Sequence, residues 1–344
     1  MTFTITVEPS QRTFTTNEGE AILAAAIRQG VAMPYGCKDG ACGSCKCKKL
    51  SGDVSHGPHQ AKALSADEAA SGLILACCAV AQSDVVLESK QVTAADALPI
   101  KKLPVRVTTV SKVNDDVAVL RLQLPANDTF KYHAGQYVEF LLRDGDRRSY
   151  SMANAPHTQT DAPGIDLHIR HMPGGKFTDH VFGAMKEKDI LRIEGPYGSF
   201  YLREDSDKPM VFVASGTGFA PIKALLEHMV FKGITRPTAV YWGGRRPADL
   251  YMHEWLATIA AAHSHITYIP VVSDATPEDQ WQGRTGFVHQ AVLDDFSDLS
   301  DHQVYACGAP IVIESALRDF VAMRALPSDE FYADSFTSLA DTTA

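Results

Sequence analysis

The sequence has 344 residues, a length that usually forms two or three domains. Its composition, with 45% hydrophobic and 21% charged residues, is that of an ordinary globular protein. The net charge of −9 argues against nucleic acid or an anionic membrane surface as the main partner, because both attract basic proteins.

The sequence predicts neither export nor membrane insertion. Its first nine residues alternate apolar and polar side chains like a strand, without the long apolar core of a signal peptide. The longest apolar run, Leu73 to Ala81, is far shorter than a membrane span. We therefore expect a cytoplasmic protein.

Residues 1–95 predict a first domain of strands, one helix and a cysteine-rich loop. Phe3–Val7 alternates as a half-buried strand does. The Ala-rich stretch Ala21–Gln29 predicts a helix, and Gly30 suits its C-terminal cap. Residues 96–103, which contain a proline and two lysines, are predicted to be a linker.

Residues 104–205 contain short strands separated by turn residues, which predicts a small antiparallel barrel. The predicted strands are Val105–Val110, Val117–Leu124, Tyr137–Leu142, Ile165–Arg170 and Ile190–Ile193.

In residues 206–344, apolar strands alternate with helical stretches, which is typical of a parallel α/β sheet. The predicted strands are Met210–Ala214, Thr238–Trp242, Thr267–Val272 and Gln303–Ala306, and the predicted helices are Pro221–Phe231, Asp249–Ala261 and Ile311–Arg324.

Six of the seven cysteines lie between Cys37 and Cys78, and in a reducing compartment such clustered thiols indicate metal ligands before disulfides. Cys37, Cys42 and Cys45 follow the pattern C-x4-C-x2-C, and Cys77 lies well downstream. This is the plant-type spacing for a [2Fe–2S] cluster. Zinc and buried structural cysteines are the alternatives, although zinc sites usually show paired C-x2-C motifs.

The cysteine loop resembles that of the plant-type ferredoxins, and the resemblance implies a β-grasp domain. In that family the fourth cysteine stands five intervening residues before a Ser-Asp pair. Counting back from Ser83-Asp84 selects Cys77 rather than Cys78 as the fourth ligand. Cys47 and Cys78 are then expected to be small packing residues.

A second group of residues predicts a flavin site. Alone, the motif Arg148-Ser149-Tyr150-Ser151 is a weak signal, and a barrel core with a surface arginine is the alternative. The ordered set of residues resembles the FAD domain of the ferredoxin–NADP reductase family, and the choice of FAD over FMN rests on that resemblance. The set begins upstream with Gly135-Gln136-Tyr137, and its downstream members are His168, Arg170, Gly174, Gly175, Lys176, Phe177, Thr178 and the segment Gly195–Phe200.

Residue type indicates a role for several members of this set. Arg148 can clamp a phosphate. Tyr150 can stack on the isoalloxazine, and the Ser151 hydroxyl can reach the flavin N5, which receives the hydride. Thr178 is predicted to cap a helix whose N–H groups point at the pyrophosphate, helped by the two glycines before it.

A third group predicts a dinucleotide site. A strand, then Gly216-Thr217-Gly218 and Pro221, matches a strand–loop–helix variant of the dinucleotide loop. Cys307 and Gly308 end another predicted strand. In the family this cysteine lies beside the nicotinamide ring, while a buried core cysteine is the alternative.

Two further segments match the family. Gly243 and Arg245 belong to the stretch near the adenosine ribose, which does not decide between NADH and NADPH. Related reductases end near an aromatic residue that covers the flavin, with an acidic residue close by, and Phe336 and Asp334 match these in order. The alternative is an aromatic pair that anchors the last strand.

The resemblance covers essentially the whole chain and implies three domains: a β-grasp [2Fe–2S] ferredoxin domain, an antiparallel β-barrel FAD domain and a parallel α/β nucleotide-binding domain. The order matches the reductases of multicomponent oxygenases, such as phenol hydroxylase and benzoate dioxygenase reductases. In the segments 35–40, 147–151, 218–221 and 285–290 the chain resembles the CDP-6-deoxy-Δ3,4-glucoseen reductases, which serve a pyridoxamine-phosphate sugar dehydrase.

This resemblance implies an electron-transfer enzyme. Hydride from NADH, with NADPH as the alternative, is expected to reach the flavin, and electrons then pass singly through the cluster to a partner protein. That partner is expected to be a sugar dehydrase or an oxygenase. A non-catalytic redox sensor or electron carrier is an alternative of another class.

Overall fold

A computed structural model describes residues 1–92, 97–126, 129–159 and 163–337. The chain forms two compact units. The first contains Met1–Pro99, Gly198–Phe200 and the residues from Asp334 onward, and the second contains Ile100–Tyr197 and Tyr201–Ala333. No helix within the described ranges is long and apolar enough to cross a membrane.

The first unit is built on a mixed sheet. Its elements are β1 (Phe3–Glu8), β2 (Arg12–Thr16), α1 (Ile22–Arg28), β3 (Lys46–Ser51), β4 (Val54–His56), α2 (Ala66–Ala70), β5 (Leu73–Leu75), β6 (Ala79–Ala81) and β7 (Val85–Glu88). The main sheet has the order β2-β1-β7-β3-β5, and β4 pairs with β6. The central strands β1 and β7 are parallel and have antiparallel neighbours, which confirms the predicted β-grasp class.

Helix α1 ends at the glycine that the sequence predicts. Ile22 and Leu23 are fully buried and hold the helix in the core. Gly30 has a φ of 72°, in the left-handed region, and the Val31 N–H donates to the Ala26 carbonyl at 2.9 Å. This pattern is the Schellman cap, which glycine forms most easily.

The second unit begins with an antiparallel barrel. Its elements are β8 (Lys101–Lys112), β9 (Val117–Gln123), β10 (Tyr137–Leu141), β11 (Arg147–Ser151), β12 (Gly164–Arg170), α3 (Lys176–Gly183) and β13 (Ile190–Tyr197). The strand order is β11-β10-β13-β8-β9-β12. The barrel closes just after β11, where Met152 bridges Leu167 and the Ala153 N–H donates to the Asp166 carbonyl at 2.7 Å.

The second unit continues as an α/β sheet. Its elements are β14 (Met210–Ser215), α4 (Phe219–Lys232), β15 (Thr238–Gly244), α5 (His253–Ala262), β16 (Ile266–Val272), β17 (Arg284–Thr285), α6 (Val288–Asp295), β18 (Gln303–Gly308), α7 (Pro310–Arg324) and β19 (Phe331–Ser335). The last two residues of β19 belong to the first unit. The order is β17-β16-β15-β14-β18-β19, with parallel pairing from β17 to β18.

The strand order changes direction at β14, which has β15 on one side and β18 on the other. In open parallel sheets, ligands bind in the crevice at the carboxyl ends of the strands beside such a switch point. Ala214, near the end of β14, stands opposite Cys307 of β18. The fold therefore brings the two predicted dinucleotide segments to one place.

Several boundaries differ from the sequence predictions. Strand β13 continues to Tyr197, beyond the predicted end at Ile193. Strand β8 begins at Lys101, inside the predicted linker 96–103, because its first residue pairs with Gly195 of β13. Helix α5 begins at His253 and not at Asp249. The Asp249 carboxylate accepts the N–H of Arg245 at 2.8 Å and instead closes a short 3-10 turn. The predicted domain ranges otherwise stay predictions. Residues 93–96, where the predicted first domain meets the linker, and 338–344, at the end of the predicted third domain, lie outside the described residues.

Candidate functional site

The cysteine loop lies between α1 and β3, and its backbone points at its own sulfurs. The Cys37 N–H donates to the Cys42 sulfur, and the Cys42 N–H to the Cys37 sulfur, each at 3.3 Å. Gly40 has a φ of 78°, and a Cβ there would lie 2.7 Å from the Cys78 sulfur. The loop therefore needs glycine for both its turn and its close packing.

The four predicted ligands lie in two pairs. Cys37 and Cys42 form one pair, and in the other the neighbouring Cys45 thiol raises the pKa of the Cys77 thiol. In the described part of the chain, no group of three or more His, Cys, Asp or Glu side chains is arranged around a single ion. Four thiolates in two pairs are the donor set that the two irons of a [2Fe–2S] cluster require, so the residues fit that group.

The remaining cysteines of this region differ from the four. Cys47 is buried in β3, and burial raises the pKa of its thiol to about 12, so it stays neutral. The Cys78 sulfur lies 3.5 Å from the Cys77 sulfur. The Cys45 thiol raises the pKa of the Cys77 thiol, which supports Cys77 as the fourth ligand, and this assignment stays a prediction.

Strand β11 carries the predicted flavin motif. Ser151 is buried and Ser149, on the same strand, is exposed. Tyr150 is half-buried against Phe177, with ring centroids 5.3 Å apart, and burial raises the pKa of its hydroxyl. The Arg148 guanidinium lies 3.3 Å from the Asp146 carboxylate, so a phosphate at Arg148 would have to share it with that carboxylate.

The start of α3 corrects one prediction. Thr178 is not the N-cap, because the helix begins at Lys176 with Gly175 as the cap. The Thr178 hydroxyl donates instead to the Met172 carbonyl at 2.9 Å and holds the preceding loop. A Cβ at Gly175 would lie 2.7 Å from that hydroxyl, which explains the glycine.

The start of α3 still offers groups for an anion. The N–H groups of its first residues, Lys176, Phe177 and Thr178, have no acceptor within the helix, as at any helix start. The Lys176 ammonium lies 2.6 Å from the Asp144 carboxylate. Gly174 has a φ of 84° and its N–H donates to Asp179 at 3.1 Å. Pyrophosphate binding at this helix start stays a prediction.

Two predicted flavin residues on β12 contact the α/β part of the same unit. The His168 Nδ1 lies 2.8 Å from the Tyr251 hydroxyl, and burial lowers the pKa of His168 to about 3. His168 is therefore neutral at ordinary pH. Arg170 donates to Asp116 at 2.8 Å and to Asp249 at 3.0 Å. Both side chains join the barrel to the α/β sheet.

The predicted dinucleotide loop has the expected strand–loop–helix form. Residues Gly216–Gly218 make a 3-10 turn between β14 and α4, and Pro221 lies in the first turn of α4. A Cβ at Gly218 would lie 2.1 Å from the Cys307 carbonyl oxygen, so only glycine fits there. Thr217 is buried within the turn. The Arg170 guanidinium also lies against this turn. A Cβ added at Gly216 would be 2.9 Å from that guanidinium.

Cys307 occupies the end of β18 and is fully buried. Full burial agrees with the interpretation of Cys307 as a core cysteine. Its position at the switch point of the sheet agrees with the interpretation that it lies beside the nicotinamide ring. Gly308 has a φ of 134°, and a Cβ there would lie 2.2 Å from the Ser215 hydroxyl. That hydroxyl accepts the Ala309 N–H at 2.9 Å and so connects the end of β14 to the residue that follows β18.

The two arginines that follow β15 have different surroundings. The Arg246 guanidinium lies 3.0 Å from the Asp279 carboxylate, whereas the Arg245 side chain is exposed. A Cβ at Gly243 would lie 2.8 Å from Val288, so the strand end packs directly on α6. Arg245 is thus the arginine at this strand end that is available to a ligand.

The two predicted tail residues, Asp334 and Phe336, differ in their burial. Asp334 is buried within β19, and Phe336 follows the strand and is half-buried. Phe331 and Tyr332 are the buried aromatic pair of this strand, and the Tyr332 ring lies 4.8 Å from that of Tyr305. The roles of Asp334 and Phe336 stay predictions.

Some residues at the junction of barrel and sheet were not predicted. The Trp242 indole donates to the Gly216 carbonyl at 3.0 Å and so supports the dinucleotide turn. Lys223 and Glu227 form a largely buried ion pair in α4. Their i,i+4 spacing in an otherwise apolar helix was the available sequence signal.

Comparison with known proteins agrees with this three-part organisation. A 2Fe-2S iron-sulfur cluster binding domain matches residues 5–82, an oxidoreductase FAD-binding domain matches 104–201, and an oxidoreductase NAD-binding domain matches 212–318. The chain is 39% identical over 339 residues to the CDP-6-deoxy-L-threo-D-glycero-4-hexulose-3-dehydrase reductase of Yersinia pseudotuberculosis, covering 98% of this chain and 99% of that protein. The chain belongs to the ferredoxin–NADP reductase superfamily.

Other members of the superfamily cover the same length. The terephthalate 1,2-dioxygenase reductase component 1 of Comamonas is 34% identical, covering 98% of each chain. The solved structure of the cytochrome P450 reductase GcoB of Amycolatopsis has a TM-score of 0.78 and 33% identity, covering 98% of this chain and 99% of that one. This protein is therefore an NAD(P)H-dependent iron–sulfur flavoprotein reductase, and its cofactors are a [2Fe–2S] cluster, FAD and a nicotinamide dinucleotide. This enzyme class confirms the predicted oxidoreductase over the redox-sensor alternative.

Proposed function

We propose that this reductase delivers electrons to a dehydrase that acts on a nucleotide-linked deoxysugar. The observation that carries the proposal is the 39% identity to a hexulose-3-dehydrase reductase over 98% of this chain. An oxygenase component is the second candidate acceptor, which the 34% identity to a dioxygenase reductase and the likeness to a P450 reductase favour. Since scaffolds of this kind serve several acceptors, fold alone does not select one.

When bound, FAD would supply the acceptor for hydride from NAD(P)H, and the [2Fe–2S] cluster would supply a one-electron centre. The chain contributes position and electrostatics. The turn Gly216–Gly218 and the start of α3 offer N–H groups to phosphates at two different places in the second unit. The Ser151 hydroxyl, buried at the end of β11, is proposed to hydrogen-bond the flavin N5.

His168 and Tyr251 support this arrangement without supplying charge. The pKa of His168 is about 3 and burial also raises the pKa of Tyr251, so both groups are neutral at pH 7. The pair therefore places no charge where the barrel contacts the α/β sheet. We also propose a cytoplasmic location, because a reducing compartment keeps the clustered cysteines available as ligands.

Reconstitution with purified acceptors tests the proposal. The holoprotein with NADH would be combined with a pyridoxamine-phosphate hexulose dehydrase and its CDP-linked substrate, or with a ring-hydroxylating oxygenase and its aromatic substrate. We expect the 3-deoxy sugar to form and the hydroxylated product to stay near background. Reduction of cytochrome c in parallel shows that the reductase is active in each mixture. Hydroxylation without deoxy-sugar formation would overturn the proposed acceptor.

A further inference from the structure

Helix α4 contains a charged pair that the proposed chemistry does not use. Lys223 is 8% exposed, and its ammonium is paired with the Glu227 carboxylate one turn later. The rest of the buried face of α4 is apolar. A buried ion pair is a costly choice for a helix, because both charges lose their hydration.

Both charges hold the same short segment of the barrel. The Lys223 ammonium donates to the Ala153 carbonyl at 3.0 Å. The second carboxylate oxygen of Glu227 accepts the Ala155 N–H at 2.9 Å. The pair therefore fixes one acceptor and one donor of the backbone, two residues apart, which sets both the position and the direction of the segment.

We call the Lys223–Glu227 pair, with its two hydrogen bonds to the backbone of residues 153–155, the clamp. The clamp connects the strand that carries the predicted flavin residue to the helix that follows the predicted dinucleotide turn. Ala153 follows Ser151 of β11 by two residues, and the chain between them closes the barrel at Met152. Helix α4 begins directly after the turn Gly216–Gly218. A shift of the clamp would consequently move the proposed flavin contact relative to the proposed dinucleotide turn.

Neighbouring side chains keep the clamp in place. The Trp255 ring lies 5.3 Å from the Lys223 ammonium and covers it as a cation–π partner. Asn154, between the two clamped residues, donates to the Gly164 carbonyl at 3.1 Å and accepts the Asp166 N–H at 2.8 Å. The segment is thus held from the barrel side by Asn154 and from the helix side by the ion pair.

Stability does not explain the pair, because apolar or neutral replacements of buried ion pairs are often as stable as the original. The pair instead fixes the position of the barrel segment Ala153–Ala155 relative to helix α4. We propose that Lys223 and Glu227 are positioning residues for hydride transfer, which fix the strand end that carries Ser151 against the helix that follows the dinucleotide turn. This inference rests on the proposed place of Ser151 at the flavin.

The decisive variant is the double substitution Lys223→Met with Glu227→Gln. It removes both charges together and keeps an acceptor for the Ala155 N–H, so no unpaired buried charge remains. Lys232→Met, in the exposed last turn of the same helix, is the matched control. Stopped-flow mixing of the FAD-loaded enzyme with NADH gives the limiting rate of flavin reduction, the Kd of NADH and the long-wavelength nicotinamide–flavin charge-transfer absorbance.

We expect the double variant to keep its melting temperature within a few degrees and its NADH Kd within about threefold, while the limiting rate falls about 10- to 100-fold. The charge-transfer absorbance should weaken, and Lys232→Met should match the wild type. A folded double variant with a wild-type rate would overturn the proposal, and so would failure to fold, since the pair would then serve the fold. Flavin reduction needs no partner protein, so the result does not depend on the identity of the acceptor.

Discussion

Ser199 and Tyr35 share three hydrogen bonds across 164 residues of sequence. The Tyr35 N–H donates to the Ser199 hydroxyl at 2.9 Å, and that hydroxyl donates to the Tyr35 carbonyl at 3.1 Å. The Ser199 N–H donates to the same carbonyl at 3.1 Å. Both residues belong to the first unit, and Tyr35 stands two residues before the predicted ligand Cys37. One serine thus fixes the backbone that leads into the cysteine loop.

Ser199→Ala should therefore disturb the cluster more than the fold. It leaves the Tyr35 N–H without its acceptor, at a cost of about 1 kcal/mol, and loosens the entry to the loop. Because the hydrogen-bonding environment of the sulfurs tunes the cluster, we expect a shifted midpoint potential and an altered EPR signal, with flavin reduction unchanged. Ser199→Thr, which keeps the hydroxyl, is the control. An unaltered potential in Ser199→Ala would contradict this role.

A second prediction separates the adjacent cysteines 77 and 78. The neighbouring Cys45 thiol raises the pKa of the Cys77 thiol, and the Cys78 sulfur lies 3.5 Å from the Cys77 sulfur. Cys77→Ser should abolish or strongly destabilise the visible [2Fe–2S] spectrum, and Cys78→Ser should leave it largely intact. Flavin reduction by NADH should survive in both variants. Iron content and visible absorbance decide the assignment, and the reverse pattern would transfer it to Cys78.

Local structure could be predicted from the sequence much better than long-range polar contacts. Gly30 ends α1 as expected, because a left-handed cap depends only on neighbouring residues. The assignment of Thr178 as an N-cap was wrong, because its hydroxyl bonds back to Met172, and this depends on the path of a loop. The partner of Lys223 in the barrel lies 70 residues away, so its burial depends on how two sheets pack.

The buried His168 predicts a specific loss of stability in acid. Its pKa is about 3 in the folded protein and about 6.5 when unfolded, so between these values only the unfolded chain binds the proton. The contribution of His168 is therefore fully present above about pH 6.5 and declines as the pH falls toward 3. The expected loss between pH 7 and pH 5 is about 2 kcal/mol.

Urea unfolding at pH 7 and pH 5 measures this loss. All three tryptophans, Trp242, Trp255 and Trp281, lie in the second unit, so their fluorescence follows the unit that contains His168. The glutamine of His168→Gln cannot titrate and can still contact the Tyr251 hydroxyl. Between pH 7 and pH 5 the free energy of unfolding of this variant should therefore fall by about 2 kcal/mol less than that of the wild type. Equal losses in the two proteins would show that His168 is not the responsible group.

Arg245 and Arg246 form a natural pair for testing nucleotide preference. Arg246 is engaged by Asp279 and Thr276, whereas Arg245 is exposed at the end of β15. If Arg245 contacts a 2′-phosphate, Arg245→Ala should raise the KM for NADPH about 5- to 30-fold, the value of one charge-assisted contact, and change that for NADH little. Arg246→Ala should leave the NADH/NADPH ratio of kcat/KM unchanged. An equal effect of Arg245→Ala on both nucleotides would exclude phosphate recognition.

The last prediction concerns Phe336, for which Phe331, at the start of β19, is the matched control. Phe331 is 7% exposed and belongs to the apolar core of the α/β sheet, whereas Phe336 lies beyond the end of β19 and is only half-buried. Truncation of a buried phenylalanine leaves a cavity and costs about 3–5 kcal/mol, so Phe331→Ala should lower the melting temperature strongly. Phe336→Ala should lower it far less.

If Phe336 covers the flavin, an incoming nicotinamide has to displace it, and this displacement opposes binding and adds selectivity. Phe336→Ala should then lower the Kd for both nicotinamide dinucleotides and reduce the NADH/NADPH discrimination. Titration of the FAD-loaded variant with NAD+ and NADP+, followed by flavin absorbance, gives both quantities. A stability loss equal to that of Phe331→Ala, together with unchanged discrimination, would identify Phe336 as a packing residue and not as a cover for the flavin.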